Sequence, residues 1–292
     1  MTSINRRRGG TLAAVAALLL AAACAPAEDS SSSSSSASPT SDAQCSPDKL
    51  ETQTKGKLTV GTDSPAYSPW FEDDDPTNGK GYESAVAYAV ADALGYAKDD
   101  VTWITVPFNS SYQPGDKKFD FDINQVSITA AREKAVDFSD PYYEAAQAVV
   151  TLGSSPFDDA KSFADLKDAQ LGAQVGTTSL QAISQIDPTK EPRVYDDSNA
   201  ATQALQNGQI DGLVVDLPTA YYIAAAELDD GDVIGQFQPE TGESEAFGLL
   251  FAKGSPLVGC VNRALGTLED DGTLGDLEQT WLSQTTGVPE LS

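Results

Sequence analysis

Short segments with strand-like and helix-like patterns alternate along the chain from residue 57 onwards. Apolar or alternating runs predict strands over 57–62, 101–106, 121–128, 148–152, 171–175, 193–195, 213–215 and 248–252. Apolar residues spaced by three or four predict helices over 83–94, from about 179, over 200–206 and 218–227, and up to Trp281. Strands alternating with helices predict parallel α/β sheets, and two successive rounds predict two lobes.

Several polar residues directly follow predicted strands, where ligands bind in open α/β sheets. Asp63 follows the first strand, and Asp216 follows the apolar strand 213–215. The turn Gly176-Thr177-Thr178-Ser179 opens a helix whose free N–H groups suit a carboxylate. Taken alone, the turn is explained better by ordinary N-capping by Thr or Ser. These positions are candidates for a ligand-binding edge.

The first 23 residues have the features of an export signal. Arg6, Arg7 and Arg8 precede an apolar run over 11–23 that is too short to span a bilayer as a helix. Small residues then lead to Cys24, and the segment resembles a bacterial lipoprotein signal, in which cleavage before the cysteine frees it for acylation. Leu20 lies one place earlier than that motif usually has it, and plain secretion is the alternative.

The segment after Cys24 predicts a tether. An unbroken serine run, Ser30–Ser36, buries nothing, so we expect residues 24–54 to form a disordered link between a lipid anchor and the folded part. The folded part would then lie outside the cell, lipid-anchored to the outer face of the membrane. In that oxidising compartment we expect Cys45 and Cys260 to form a disulfide; two unpaired buried thiols are the alternative.

Composition excludes several classes of function. The 292 residues contain 44 Asp and Glu, 18 Lys and Arg and no His, which gives a formal charge of −26. A chain without His has no Ser-His-Asp triad and no His-ligated zinc, and its charge repels nucleic acids. We expect no cofactor or metal. Beyond the predicted signal peptide the sequence has three arginines, Arg132, Arg193 and Arg263.

Arg132 lies in a recognisable motif. Residues 127–142 read SITAAREKAVDFSDPY, which resembles the pattern S-x-T-x-x-R-x-x-x-V-D-F-S-x-P-Y of the family 3 extracellular solute-binding proteins, the polar amino-acid receptors of ABC importers. The resemblance covers Lys57 to Trp281. Supporting matches are 61–63 with Tyr67, Pro69 and Trp70, then 81–83, 176–178, 216–220 and 272–274.

The resemblance implies a fold and a function. The fold would be the two-lobed type II periplasmic-binding-protein fold, with a ligand cleft between lobes joined by two hinge strands. Lobe 1 would comprise residues 55–143 and 246–292, and lobe 2 residues 147–243. The protein would capture an amino acid by lobe closure and deliver it to a permease driven by a separate ATPase, acting as a monomer.

The same resemblance assigns the groups that bind an amino-acid zwitterion. Arg132 matches the carboxylate ligand, helped by the backbone at Ser127 and Thr178, and guanidinium is the donor fork that binds carboxylates bidentately. Asp216 matches the ammonium ligand. Arg132 would come from lobe 1 and Asp216 from lobe 2, so the ligand stabilises the closed form. A surface ion pair of Arg132 with a nearby acid is the alternative interpretation.

Four further residues concern the ligand side chain. Tyr67 matches an aromatic that covers it, with Phe108 as its neighbour; simple core packing is the alternative for both. Asp63 matches a position that meets polar or basic side chains, and Gln125 would bring an extra amide into the pocket. These matches favour a polar amino acid with a basic or amide group.

Two other functions stay open. A few relatives resemble cyclohexadienyl dehydratases, which use an acid in the pocket, and Glu83 and Asp63 are the candidate acids here. Glu83 could instead favour the dipole of the helix that it opens. An amino-acid sensor domain is the other alternative. Since the chain lacks a catalytic constellation, we expect a receptor that is not an enzyme.

Overall fold

The computed structural model describes residues 44–239, 245–282 and 287–292. The predicted signal peptide, Cys24 and the serine run lie outside these residues. Among the helices in the described part of the chain, none is both long and apolar enough to cross a membrane.

Ten strands and seven α-helices make up the framework. The strands are β1 (Leu58–Thr62), β2 (Val101–Thr105), β3 (Phe121–Asp122), β4 (Val136–Ala145), β5 (Gln147–Leu152), β6 (Leu171–Gln174), β7 (Arg193–Tyr195), β8 (Gly212–Asp216), β9 (Gly231–Phe237) and β10 (Glu245–Ala252). The helices are α1 (Tyr82–Ala93), α2 (Phe108–Ser111), α3 (Thr178–Ile186), α4 (Ser198–Gln206), α5 (Leu217–Tyr222), α6 (Val258–Asp270) and α7 (Thr273–Leu282).

The strands form two separate five-stranded sheets, as the two-lobed fold requires. The first has the order β2-β1-β3-β10-β4 and is covered by α1, α6 and α7; we call this part lobe 1. The second has the order β7-β6-β8-β5-β9 and is covered by α3, α4 and α5; we call this part lobe 2. Each sheet buries its own apolar side chains, so each lobe has its own core.

The core of lobe 1 fixes where α1 begins. Trp70, Tyr82 and Phe247 are almost completely buried in an aromatic cluster. Gly81 precedes α1 with φ of 89°, and a Cβ there would lie 2.5 Å from the Trp70 carbonyl oxygen. Only glycine fits this close approach, which brings the helix against the segment that carries Trp70.

Both sheets are mixed, which corrects the prediction of parallel sheets. β10 runs antiparallel to β3 and β4, and β5 runs antiparallel to β8 and β9. These strands adjoin the two points where the chain passes between the lobes, so each enters its sheet from the opposite side. β4 and β9 are strands that the pattern did not predict.

Two other predicted elements differ from the structure. The alternating run over 121–128 forms a strand only at Phe121–Asp122, because the chain turns at Gln125, whose φ is 46°. The predicted helix 218–227 is α5 followed by a π-helical segment, Ile223–Glu227.

The predicted disulfide is present. Cys45 is bonded to Cys260 of α6, with the two Cα atoms 5.4 Å apart. Cys45 and Leu50 are both buried in the core of lobe 1, although the predicted tether extends to residue 54. The packed part of the chain therefore starts no later than Cys45.

Candidate functional site

A cavity of about 60 Å³ lies between the lobes, beyond the carboxyl ends of β1 and β8. It is lined by Asp63, Tyr67, Phe108, Asn124, Gln125 and Ser127 of lobe 1 and by Gln174, Thr177, Thr178, Ser179, Ser198, Val214, Val215, Asp216 and Thr219 of lobe 2. The structure thus brings seven of the eight predicted ligand-binding residues to one cavity; Arg132 is the eighth.

Arg132 lies beside the cavity rather than in its lining. Its guanidinium donates to the Ser127 carbonyl at 2.8 Å and, across the lobes, to the Gly176 carbonyl at 3.1 Å. It also stacks over the rings of Tyr112 and Phe108, 4.7 and 5.5 Å from their centroids. Burial lowers the pKa of Arg132, although a guanidinium keeps its charge in proteins. It is a buried cation with more N–H donors than these two carbonyls use.

The start of α3 faces the cavity from lobe 2. Gly176 has φ of 78°, which favours glycine, and a Cβ there would lie 2.1 Å from the Asn109 side-chain oxygen of lobe 1, so that side chain would have to move. The Thr177 hydroxyl caps the helix by accepting from the Leu180 N–H at 3.1 Å. The predicted capping role therefore belongs to Thr177. Thr178 is the first helical residue, whose N–H has no partner within the helix.

Asp216, which is partly buried, ends β8 next to a buried acid, Glu245. Its Oδ1 accepts from Gln147 Nε2 at 2.8 Å, and the same nitrogen donates to Glu245 Oε2 at 2.6 Å. Burial raises the pKa of Asp216 well above its usual 3.8, and the neighbouring Glu245 carboxylate raises it further. A cationic group beside Asp216 would relieve this repulsion, as the predicted ammonium ligand requires.

The two lobes touch directly around the cavity. Trp70 Nε1 of lobe 1 donates to the Thr219 hydroxyl of lobe 2 at 2.8 Å. The hydroxyls of Ser127 and Thr178 are 3.1 Å apart. With the bond from Arg132 to Gly176, these contacts define a closed arrangement of the lobes.

Gln125, which lines the cavity, is hydrogen-bonded to the buried Glu83. The Gln125 backbone N–H donates to Glu83 Oε1 at 2.7 Å, and its side-chain amide donates to Glu83 Oε2. Tyr142 also donates to Glu83. The predicted amide of Gln125 is therefore turned towards Glu83, and Glu83 holds the Gln125 turn in place. The unpartnered amide in the lining is that of Asn124, whose buried Nδ2 has no hydrogen bond within the described structure.

Glu83 should make stability depend on pH. Burial raises its pKa from 4.5 to about 7, against the hydrogen bonds from Tyr142 and Gln125, which lower it. Between these values the folded state binds a proton that the unfolded state has lost. The contribution of Glu83 is thus complete below pH 4.5 and decreases as the pH rises to about 7, at up to about 1.4 kcal/mol per pH unit.

Urea unfolding of wild type and Glu83→Gln between pH 4.5 and pH 7 measures this contribution. Asp122 and Asp216 also have raised pKa values, to which the Glu83 charge contributes, so the difference between the two proteins reports Glu83 together with its effect on these two acids. We expect wild type to lose stability relative to Glu83→Gln as the pH rises. If the unfolding free energies of the two proteins changed in parallel with pH, the raised pKa of Glu83 would be contradicted.

The sequence analysis missed the polar residues where the lobes join. Gln147 and Glu245 are buried beside the cavity. Gln147 directly precedes the apolar run 148–152, a signal that could have indicated a buried amide, whereas nothing distinguishes Glu245 among 44 acids. Within residues 44–239, 245–282 and 287–292, no group of three or more acids or cysteines is arranged to hold a metal ion.

Comparison with known proteins shows the family of the chain. Residues 58–284 match the model of the bacterial extracellular solute-binding proteins, family 3. The chain belongs to this family. It is 30% identical over 234 residues to the L-cystine-binding protein TcyJ of Escherichia coli (strain K12), an alignment that covers 79% of this chain and 84% of TcyJ.

Solved structures of amino-acid-binding proteins have the same fold. An ancestral arginine-binding protein bound to glutamine is 32% identical, with a TM-score of 0.64, and the match covers 78% of this chain and 98% of that one. The ancestral amino acid-binding protein AncCDT-1, a precursor of cyclohexadienyl dehydratase, is 33% identical, with a TM-score of 0.63, over 77% of this chain and 94% of that one. These family 3 relatives are named for binding amino acids.

Proposed function

We propose that this chain is the substrate-binding receptor of an amino-acid ABC importer. One observation carries the proposal: between the two lobes, a buried cation, Arg132, and a partly buried acid, Asp216, lie on opposite lobes next to the same cavity. An amino acid carries an anionic and a cationic group on one carbon atom. A ligand that contacts both lobes stabilises the closed form by its differential affinity.

The carboxylate would be bound by the Arg132 guanidinium and by the N–H groups at the start of α3. The ammonium would be bound by Asp216, where it offsets the repulsion from Glu245. Ser127 and Thr178 would border the carboxylate, and Tyr67 and Phe108 would cover the ligand side chain.

The side-chain part of the cavity favours a polar amino acid with a basic or amide group. Asp63 is a half-buried carboxylate in the lining, and Asn124 offers an unpartnered amide N–H in the described structure. The carboxylate suits a cationic or amide donor, and the amide suits an acceptor. The relatives named above are named for binding cystine or arginine, or were solved with glutamine bound, and these amino acids all have polar side chains.

The receptor would act as a monomer, lipid-anchored through Cys24 at the outer face of the cell membrane. It would deliver its ligand to a membrane permease driven by a separate ATPase. The export signal, the serine-rich tether and the family of extracellular solute-binding proteins support this location.

The enzymatic alternative is favoured only by the likeness to a dehydratase precursor. Of the two candidate acids, Glu83 is buried beneath the lining, where its oxygens accept from Gln125 and Tyr142. Asp63 accepts from the Phe108 N–H at 3.1 Å. Because Glu83 is not among the residues that line the cavity and Asp63 is held by a backbone N–H, we propose binding without turnover.

A thermal-shift screen tests the proposed function. The full chain, stripped of bound ligand, is melted with each common amino acid and with cystine. We expect a rise in melting temperature for one or a few polar amino acids, because a ligand that binds only the folded state stabilises it. A screen without any stabilisation, together with conversion of prephenate or arogenate, would replace the receptor by the enzyme.

A further inference from the structure

Glu245 occupies the place where the chain passes between the lobes. It is the first residue of β10 and pairs in register with Ala145, the last residue of β4. One connection between the lobes runs from Ala145 to Gln147, and the other returns from Phe237 to Glu245. The side chain of Glu245 is buried, with 6% of the residue exposed. A carboxylate buried at such a joint requires partners for both oxygens.

Both oxygens of Glu245 have partners, and these come from both lobes. Oε1 accepts from the Ser127 hydroxyl of lobe 1 at 2.7 Å and from the Thr178 hydroxyl of lobe 2. Oε2 accepts from Gln147 Nε2 at 2.6 Å, and Gln147 connects it to Asp216. The Glu245 side chain therefore connects the end of the cavity that would bind the ligand carboxylate with the end that would bind the ligand ammonium group.

The bonds of Glu245 to Ser127 and to Thr178 can exist together only while the lobes are closed. Ser127 and Thr178 belong to different lobes, and a single oxygen can accept from both because their hydroxyls are 3.1 Å apart. Opening the cleft separates the two hydroxyls, so Glu245 loses at least one charge-assisted hydrogen bond. Glu245 thus stabilises the closed arrangement over the open one by contacts within the protein itself.

We propose that Glu245 is a positioning residue that favours the closed arrangement of the lobes before a ligand binds, and so raises affinity. The effect on affinity rests on the proposed function, since a ligand that binds the closed form binds more tightly when that form is more populated. The effect on the lobes does not depend on which ligand binds.

The same contacts determine what Ser127 and Thr178 offer a ligand. Each hydroxyl has a single hydrogen, and both hydrogens are donated to Glu245. Their oxygens therefore present only lone pairs to the cavity. A ligand carboxylate then takes its hydrogen bonds from N–H groups, and the two hydroxyls contribute to binding through lobe closure.

Trp70 offers a direct measure of closure. Its Nε1 donates to Thr219 across the lobes at 2.8 Å, and the residue is fully buried. The sequence has three tryptophans, so Trp103→Phe and Trp281→Phe leave Trp70 as the single emitter of the full chain. Opening exposes its N–H to water, and the emission shifts to longer wavelength.

In this background, ligand-free Glu245→Gln should emit at longer wavelength than its parent. The amide cannot accept from Gln147 and from both hydroxyls as the carboxylate does. The dissociation constant, measured by calorimetry with L-arginine, L-glutamine and L-cystine, should rise about tenfold for whichever of them binds the parent. Saturation with that amino acid should restore the parent emission, which a merely damaged fold would not show.

Glu144→Gln is the matched control. Glu144 is an exposed acid on β4, paired with Ala246, so the substitution removes the same charge next to Glu245 without touching either hydroxyl. It should leave emission and affinity unchanged. Equal emission and equal affinity of Glu245→Gln and its parent would overturn the proposal.

Thr178→Val removes the hydrogen bond from lobe 2 to Glu245. It tests the proposal if Glu245→Gln does not fold. A shift to longer wavelength in the ligand-free protein supports the proposal, and an unchanged emission refutes it. Where both variants fold, the double variant should be no more open than the more open single variant, because both substitutions remove the same interaction between Thr178 and Glu245. Emission is read without ligand, so it tests Glu245 even if no amino acid binds and the proposed function fails.

Discussion

Arg132→Ala should weaken amino-acid binding by about 100-fold or more while the protein stays folded. The substitution removes the buried cation that would bind the ligand carboxylate. It also removes the hydrogen bond from lobe 1 to the Gly176 carbonyl of lobe 2. Both losses act on the closed form, so affinity decreases directly and through closure. Calorimetric titration with the amino acid found in the thermal screen measures the effect.

Two further variants identify the cause. Arg132→Lys keeps the charge but loses the planar fork, so its affinity should lie between wild type and Arg132→Ala. Arg193→Ala removes an exposed arginine of β7 and should bind like wild type. Circular dichroism verifies that each variant is folded. Undiminished affinity of Arg132→Ala would place the carboxylate site elsewhere.

The double variant Cys45→Ser/Cys260→Ser should lose about 5 kcal/mol of unfolding free energy. The disulfide closes a loop over a sequence separation of 215, and on the chain-entropy model such a long loop strongly restricts the unfolded chain. It also fixes Cys45 and Leu50 against the core of lobe 1. Urea unfolding of the oxidised wild type and of the variant gives the difference.

Reduced wild type separates the crosslink from the effect of burying two serines. If the crosslink is responsible, wild type in reductant should unfold at nearly the same urea concentration as the variant. A difference below about 1 kcal/mol between oxidised and reduced wild type would contradict the expected role of the disulfide.

The local pattern predicted those elements whose own residues determine them. The helix predicted over 83–94 is α1, Tyr82–Ala93, and the predicted strand 193–195 is β7. Strand direction was not predictable in the same way, because it depends on where the chain passes between the lobes. β9 was missed because its two glycines, Gly231 and Gly235, weaken the strand pattern.

The residues at the cavity were predicted in two ways, from their position after a strand and from the resemblance to the family. Asp63 and Asp216 were found because they follow strands, and Arg132 because it lies in a family motif. Glu245 and Gln147 follow neither rule, since they lie where β10 and β5 begin. Their partners are far along the chain: the sequence separation is 118 between Glu245 and Ser127 and 98 between Glu245 and Gln147. Only the folded arrangement of the two lobes brings these groups together.

The central claim is that an amino acid is bound through both its carboxylate and its ammonium group between the lobes. Calorimetric titration of the ligand-stripped full chain tests it most directly, with three compounds compared: the amino acid from the screen, the amine lacking its carboxylate and the acid lacking its ammonium group. We expect one molecule of the amino acid to bind per chain, and each analogue to bind about 100-fold more weakly or not at all. Equal affinity for either analogue would contradict the account.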